Sequence, residues 1–567
     1  MKNIKLEENV IKFNKTFEDT IEYANARCDD GDYVSALAAL DFYAEKPRAN
    51  SDVYAHIADV YTEIFNYDLA IKYWLEYLVK SPVKYYSDGF NGLGANYYMM
   101  GDKNKAAYYF KRQFCYEDAD GCVYNDILED FAESEKVKRR PDLKVITSDP
   151  NDEKSKLEEI RRLHDERKFE GIPPVAITLF DSKDEKVKSE ALYEAAYAYY
   201  ACDKLKKSLT AVNQLLALGN VNFRSYLLGA YVCAALGYDK KAAEIAQKIA
   251  DKVADEDDAS RHITIIYDFV GEKRAESLAK KYRGEYPYNA DVAFCYGMIK
   301  YNQGDYKAAS KAFTEAYYYS RSFEFTYYRK LAAKAEESGA APEGKERLPI
   351  APDLPPEEQT RMLGRLADVF ENGGSLARVD EKEFEYILDW VTATREDALP
   401  LLAMLAYKDG KAKHKFAVKL KLIDDSVSDD TKRDLISILC DNGETGKVAI
   451  TFSGYLHFIN VEMPEFQKRG QSIFENVYAF ALGVCAVASP EETDKLFFGS
   501  LAMQDAIVRY CNVSKLKAFS VYEIACALCV YSKLDFFNAD VKALCNLFSV
   551  RELQIRYILN LTEERVW

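Results

Sequence analysis

The chain has 567 residues, of which 48% are hydrophobic and 30% charged, and its formal net charge is −16. A chain of this length exceeds what one hydrophobic core organises, so several domains or a repeat array are expected. The negative balance argues against nonspecific nucleic-acid binding and against electrostatic docking on anionic lipid, and it leaves basic partners open.

The first segment, MKNIKLEENVIKFNKTFEDT, alternates charges with isolated apolar residues and lacks the apolar core of a signal peptide. No later stretch reads as the roughly 18 consecutive apolar residues of a membrane helix. The expectation is a soluble, cytoplasmic protein with no membrane segment. Its 12 cysteines lie scattered on apolar helical stripes and read as reduced core thiols, not a disulfide framework.

From Gly31 a pattern repeats. GDYVSALAALDFYAEKP opens with a turn, follows one apolar stripe and stops at a proline. NYDLAIKYWLEYLVKSP restates it with Tyr67 and Ala70 each 34 residues after Tyr33 and Ala36, and GDKNKAAYYFKRQF restates it again with Ala106. A second series runs through Ser208, Ala242, Ala275 and Ala309 at intervals of 33 or 34 residues. Self-similarity at this period predicts a solenoid of helical hairpins, each burying its apolar face against the next.

These repeats resemble the tetratricopeptide repeat family over about residues 17 to 320, with a gap near 118 to 154. In FNGLGANYYMMGDKNKAAYYF, Leu93, Gly94 and Tyr97 match the first helix of the unit, Gly101 and Asp102 the turn, and Ala106 and Phe110 the second helix. The resemblance implies an all-α, right-handed superhelical solenoid whose first helices line a concave, partner-binding surface. Gly94, Ala36, Ala70 and Ala106 are read as the small residues at helix crossings.

The chain then divides as follows: residues 1–117 form a first block, 118–154 a linker or irregular connection, and 155–338 a second block with a capping helix. Residues 339–358, carrying Pro342, Pro349, Pro352, Pro355 and Pro356, read as a linker, because such proline density forbids continuous helix. Residues 359–567 read as a separate, mainly helical domain without the 34-residue phase. KVAITFSGYLHFINVE is its exception, with alternation that suits a hairpin or a buried strand.

Two candidate surfaces follow from the repeat phase. In the first block Glu18, Asp29, Asp52, Asp59, Glu63 and Asp88 fall on the groove face, a set that would attract a basic segment and that equally suits a solvated face on an acidic protein. In the second block Tyr193, Tyr197, Tyr200, Tyr231, Tyr267, Phe294 and Tyr301 fall there, where they could stack on an extended peptide or pack between repeats. Some tetratricopeptide proteins grip a terminal carboxylate with basic residues and asparagines on this face. That specificity is not carried over, because the face here is acidic or aromatic.

VKALCNLFSVRELQIRYILN resembles a helix-turn-helix, with Cys545 at the crossing, Ser549 in the turn and Ile555 and Ile558 inside. Arg551, Gln554 and Arg556 would then face DNA. Its net charge from Leu534 onward is negative, against what phosphate neutralisation asks. Cys526 and Cys529 form a CxxC inside an apolar helical run, and the five histidines are far apart in sequence. Phosphate-loop, dinucleotide and nucleophile-elbow motifs are absent. The expected function is a protein-interaction scaffold or adaptor that binds a protein or peptide segment in its groove, without catalytic residues, cofactor or metal. The alternative is a transcription regulator with the C-terminal hairpin on DNA.

Overall fold

The computed structural model describes residues 16–46, 49–116, 153–165, 168–218, 222–371, 376, 379–409, 411–534 and 541–563. Most of the expected connection at 118–154 lies outside these residues. The fold is all-α, with one two-stranded sheet among the described residues.

Residues 1–142 and 355–567 form one compact unit, and residues 143–354 form a second. This differs from the expected division in two places. The first block shares its unit with the C-terminal helices, and the proline-rich segment up to Leu354 belongs to the second unit. Both differences have a cause in side chains that grip distant backbone, set out below.

In the first unit, the helix pairs Phe17–Asp29 with Tyr33–Ala44, Asp52–Glu63 with Tyr67–Lys80, and Tyr86–Met99 with Lys103–Gln113 are tetratricopeptide-like hairpins stacked in order. Each turn is built the same way. The amides of Asp32, Asn66 and Asp102 return to the carbonyls of Arg27, Tyr61 and Tyr97 at 2.8–2.9 Å, a closure that leaves the preceding residue left-handed. Gly31 and Gly101 take that conformation freely, whereas Phe65 adopts it at φ 61°. The same Asp32, Asn66 and Asp102 then cap the second helix by accepting from the amides of Ser35, Leu69 and Lys105.

Ala36, Ala70 and Ala106 have no exposed surface. A Cβ on Gly94 would meet the Phe110 ring at 2.6 Å, so the small residues stand where helices cross most closely.

The second unit continues the pattern with Glu185–Ala201 and Leu205–Leu216, Phe223–Ala235 and Asp239–Ile249, Glu256–Phe269 and Glu272–Glu285, and Ala290–Asn302 and Tyr306–Ser320. Phe323–Ser338 caps the stack, packing on Tyr306–Ser320. Ahead of these pairs stands a degenerate one, Glu153–Asp165 with a short proline-bearing second helix, Ile172–Ala176. First helices of successive repeats touch one another, which makes a continuous inner face.

The C-terminal helices of the first unit gather round Gln471–Ala488, which packs on Asp429–Asp441, Thr493–Tyr510 and Val521–Tyr531. By length and composition Gln471–Ala488 could cross a membrane, but 56% of it is buried inside the fold. The hairpin foreseen at Lys447–Glu462 is present: β1 (Lys447–Phe452) pairs antiparallel with β2 (Tyr455–Asn460). Its two-residue turn, Ser453 and Gly454, is left-handed at both positions, as a twisted hairpin demands.

Candidate functional site

The groove carboxylates expected in the first block sit at different depths. Glu63 and Asp88 are exposed, Asp52 is half-buried, and Asp59 keeps part of its side chain in solvent while its carboxyl lies among crowding protein atoms. That crowding, which strips water from the carboxyl, and the neighbouring Glu63 push Asp59 up to about 6. Burial, reinforced by Glu63, Asp29 and Asp32, pushes the Cys28 thiol up to about 12. Carboxylates from two repeats thus act on one spot. Asp52 and Asp88 both act on Tyr77, whose hydroxyl is pushed up to about 12, chiefly by burial.

In the second block the upper groove carries Tyr193, Tyr197, Tyr200 and Tyr231, all half-buried. The Tyr197 ring lies 5.1 Å from His164 and 5.7 Å from Phe169 of the preceding pair. Tyr231 Oη donates to the carbonyl of Arg261 in the next repeat at 3.2 Å. Near Tyr193, the buried Asp258 accepts from Arg224 at 2.6 Å and from Arg261 at 3.3 Å. Tyr197 and Tyr231 thus bridge repeats, and all four tyrosines keep part of the ring open.

Phe294 and Tyr301 are corrections. Both have 0% exposure. Phe294 packs between Phe313, Phe325 and Tyr328 at 5.0–5.5 Å, and the Tyr301 ring meets Tyr306 at 5.3 Å. The repeat phase selects the correct helix but not the depth of a side chain, and at these two positions the ring points into the core.

The lower groove is occupied by the chain itself. After the capping helix, residues 341–354 return across the inner face as an irregular strap, with a turn closed from Lys345 to Pro342 and bends beyond it. Asn302, the last residue of its first helix, grips the strap backbone at one residue in both senses. Its Oδ1 accepts from the Leu348 amide and its Nδ2 donates to the Leu348 carbonyl, each at 2.8 Å. The second Nδ2 hydrogen goes to Tyr267 Oη at 3.1 Å, so both donors of the amide are used.

Other side chains join in. Tyr328 Oη donates to the Asp353 carbonyl at 2.7 Å, Tyr306 Oη accepts from the Ala341 amide at 3.1 Å, and Thr264 Oγ1 reaches the Ile350 carbonyl at 3.5 Å. Lys345 meets Tyr327 Oη, and Arg347 reaches Tyr267 Oη at 3.3 Å. Ile350 and Leu354 are each 4% exposed, and Ile350 and Leu348 pack on the repeat core. Meanwhile Glu343, Glu346, Arg347, Pro349, Pro352 and Asp353 stay exposed.

Of the groove residues expected from the sequence, Tyr267 is the one that meets this strap by a hydrogen bond. Asn302, Thr264, Tyr306 and Tyr328 escaped sequence reasoning. The available signal was Asn302 itself, an amide at the end of a first helix directly after Tyr301. An amide is the side chain that can pair with a backbone N–H and C=O at once.

In the first unit a comparable grip holds the hairpin. Tyr109 Oη donates to the Gly454 carbonyl at 2.6 Å and accepts from the Leu456 amide at 3.0 Å, while Tyr108 Oη donates to the Leu456 carbonyl at 2.8 Å. The Tyr97 and Tyr109 rings stack at 5.4 Å. From the other side the buried Lys432 donates to the Thr451 carbonyl at 2.8 Å, and burial depresses its amine. A Cβ on Gly454 would lie 2.8 Å from Tyr97 Oη, so this close docking needs glycine.

At the C-terminal helical hairpin Cys545, Ile555 and Ile558 are buried, and Ser549 is left-handed at φ 54°. Arg556 is tied to Glu552 at 2.5 Å, while Leu553 is 79% exposed with Tyr557 beside it. The outward face thus mixes the exposed Arg551, Arg556 and Asn560 with Leu553 and Tyr557, with Gln554 half-buried, and the DNA reading gains no support. Cys526 and Cys529 are buried in the helix Val521–Tyr531. Among the described residues no cluster of histidine, cysteine and acidic side chains has metal-holding geometry.

No protein-family profile matches this chain, and no curated protein matches it. One similar solved structure is the crystal structure of the APC/C hetero-tetramer Cut9–Hcn1, which aligns over 98% of this chain and 91% of that one at 12% identity with a TM-score of 0.26. At that score the likeness carries no argument. The tetratricopeptide-like description rests on the helix pairs, turns and crossings above.

Proposed function

We propose that the chain is a protein-interaction scaffold that acts by binding and holds an extended peptide segment along the inner face of its second repeat block. The observation that carries this reading is the grip on residues 341–354. The inner face offers paired donors and acceptors to an extended backbone, with apolar seats for alternate side chains. The half-open Tyr193, Tyr197, Tyr200 and Tyr231 extend that face and supply ring surface and hydroxyls to a partner. The acidic first block adds a site for a basic segment through Asp52, Asp59, Glu63 and Asp88.

Affinity capture from the native cell extract tests the aromatic half. A Tyr193→Ala, Tyr197→Ala, Tyr231→Ala chain, checked for native helix content, should lose a partner that the wild type retains. Identical partners on both chains would contradict the reading. For the acidic half, Asp59 titrates near 6 and its protonation removes an attracting charge. Binding of a lysine-rich peptide should therefore weaken as pH falls from 7 to 5, more steeply in wild type than in Asp59→Asn. Equal slopes would remove Asp59 from the site.

A further inference from the structure

The geometry points to the lower groove as a peptide site whose resident occupant, residues 341–354, stands in for a segment of another protein. That segment is an extended, proline-broken stretch with aliphatic residues spaced like Leu348, Ile350 and Leu354. The inference rests on the scaffold reading and names the ligand class and the regulation of one part of the same face.

Three observations carry it. First, Asn302, Tyr328, Thr264 and Tyr306 bond to strap backbone and not to strap side chains, with Tyr306 Oη and Asn302 Oδ1 accepting from strap amides and the other groups donating to strap carbonyls. That part of the grip is indifferent to sequence, so a chain of matching shape satisfies it, and a cation placed like Lys345 or Arg347 would add a bond to Tyr327 or Tyr267. Secondly, the strap is in no helix or sheet. Its internal backbone hydrogen bonds are two local ones, from the Lys345 amide to the Pro342 carbonyl and from the Ala351 amide to the Pro349 carbonyl. Leaving the groove therefore breaks few bonds within the strap itself.

Thirdly, the strap's own chemistry says what can replace it. Pro349 and Pro352 lack an N–H and favour an extended backbone. Leu348, Ile350 and Leu354 turn inward, while Glu343 and Glu346 remain outward and the exposed Arg347 reaches back to Tyr267. A competing segment therefore needs aliphatic side chains at positions 1, 3 and 7, proline or extended backbone between them, and no charge at those three positions. Because the strap is covalently attached, it competes at high local concentration, and the site is masked until the strap is displaced.

The probe is a fluorescent peptide with the sequence of residues 341–354, titrated against the full chain by anisotropy. Wild type should bind it weakly. Two released chains, Leu348→Pro, which removes the amide held by Asn302, and Ile350→Ser, which empties the apolar seat, should each bind at least ten-fold more tightly. Adding Asn302→Ala to either should cost ten-fold or more. Either release variant suffices if the other does not fold.

A released, folded chain that binds no more tightly than wild type overturns the proposal, as does one indifferent to Asn302→Ala. Leu553→Ala, an exposed position of the other unit, should leave peptide affinity within two-fold. If the peptide fails to bind while capture of a partner still depends on Tyr193, Tyr197 and Tyr231, the masked site falls and the scaffold reading stands.

Discussion

Each repeat block holds a later stretch of chain by side chains that bond to its backbone, and the two held segments differ in what they would keep on release. The hairpin gripped by Tyr108 and Tyr109 has its own ladder from Lys447 to Asn460. Its outward groups near Thr451 and Leu456 are covered from both sides, by Lys432 and by the tyrosines, so an otherwise sticky sheet edge is closed. The strap has no ladder, and the groove supplies most of its backbone partners. A segment whose partners all lie in one groove can be exchanged for another of the same shape. One locked between two layers is part of the core.

Three changes sharpen that contrast, from the largest expected effect downward. Phe294→Ala removes the ring that lies among Phe313, Phe325 and Tyr328, and should cost about 3–5 kcal/mol in denaturant unfolding of the second unit. Hydrogen exchange of the hairpin should stay unchanged. A small cost would return Phe294 to the open groove.

Acid should then weaken the second unit through His262. The ring is fully buried with Nδ1 2.8 Å from Tyr282 Oη, and burial pushes it down to about 4. The folded chain keeps it neutral, whereas the unfolded chain takes up a proton below about 6.5. Its contribution is therefore complete above pH 6.5 and lost as pH falls toward 4, on the order of 3 kcal/mol in all. Stability curves of wild type and His262→Gln should converge at low pH. Parallel curves would mean that another group titrates.

The smallest pair compares the grips directly. Tyr109→Phe leaves the buried Leu456 amide without its acceptor and should cost about 1–3 kcal/mol in global stability. Asn302→Ala exposes strap groups that water can reach, and should cost less than Tyr109→Phe. Equal costs in unfolding would erase the distinction between core and occupant.

The repeats were legible because their spacing is set by geometry that recurs. Ala36, Ala70 and Ala106 mark crossings, and Asp32, Asn66 and Asp102 mark the turns. The hairpin was legible from its alternation and from Ser453 and Gly454. The strap was not, because a groove that holds backbone imposes no side-chain pattern apart from a few aliphatics, and five prolines read as a linker. Joining the first block to the C-terminal helices was equally hidden. It depends on Tyr97, Tyr108 and Tyr109 meeting residues some 345–357 positions away, a pairing that local pattern does not encode. The depth of Phe294 and Tyr301 also depends on neighbours in three dimensions.

The most direct measurement is residue-resolved hydrogen exchange in the wild-type chain at the Leu348 and Leu456 amides. Both are held by a side chain of the repeats, Asn302 in one case and Tyr109 in the other. If the strap is an exchangeable occupant, Leu348 should exchange through local opening at least 100-fold faster than Leu456, and faster still with excess 341–354 peptide. Leu348 protected as strongly as Leu456, with no response to peptide, would make the strap a fixed part of the core and contradict a groove built to hold a replaceable segment.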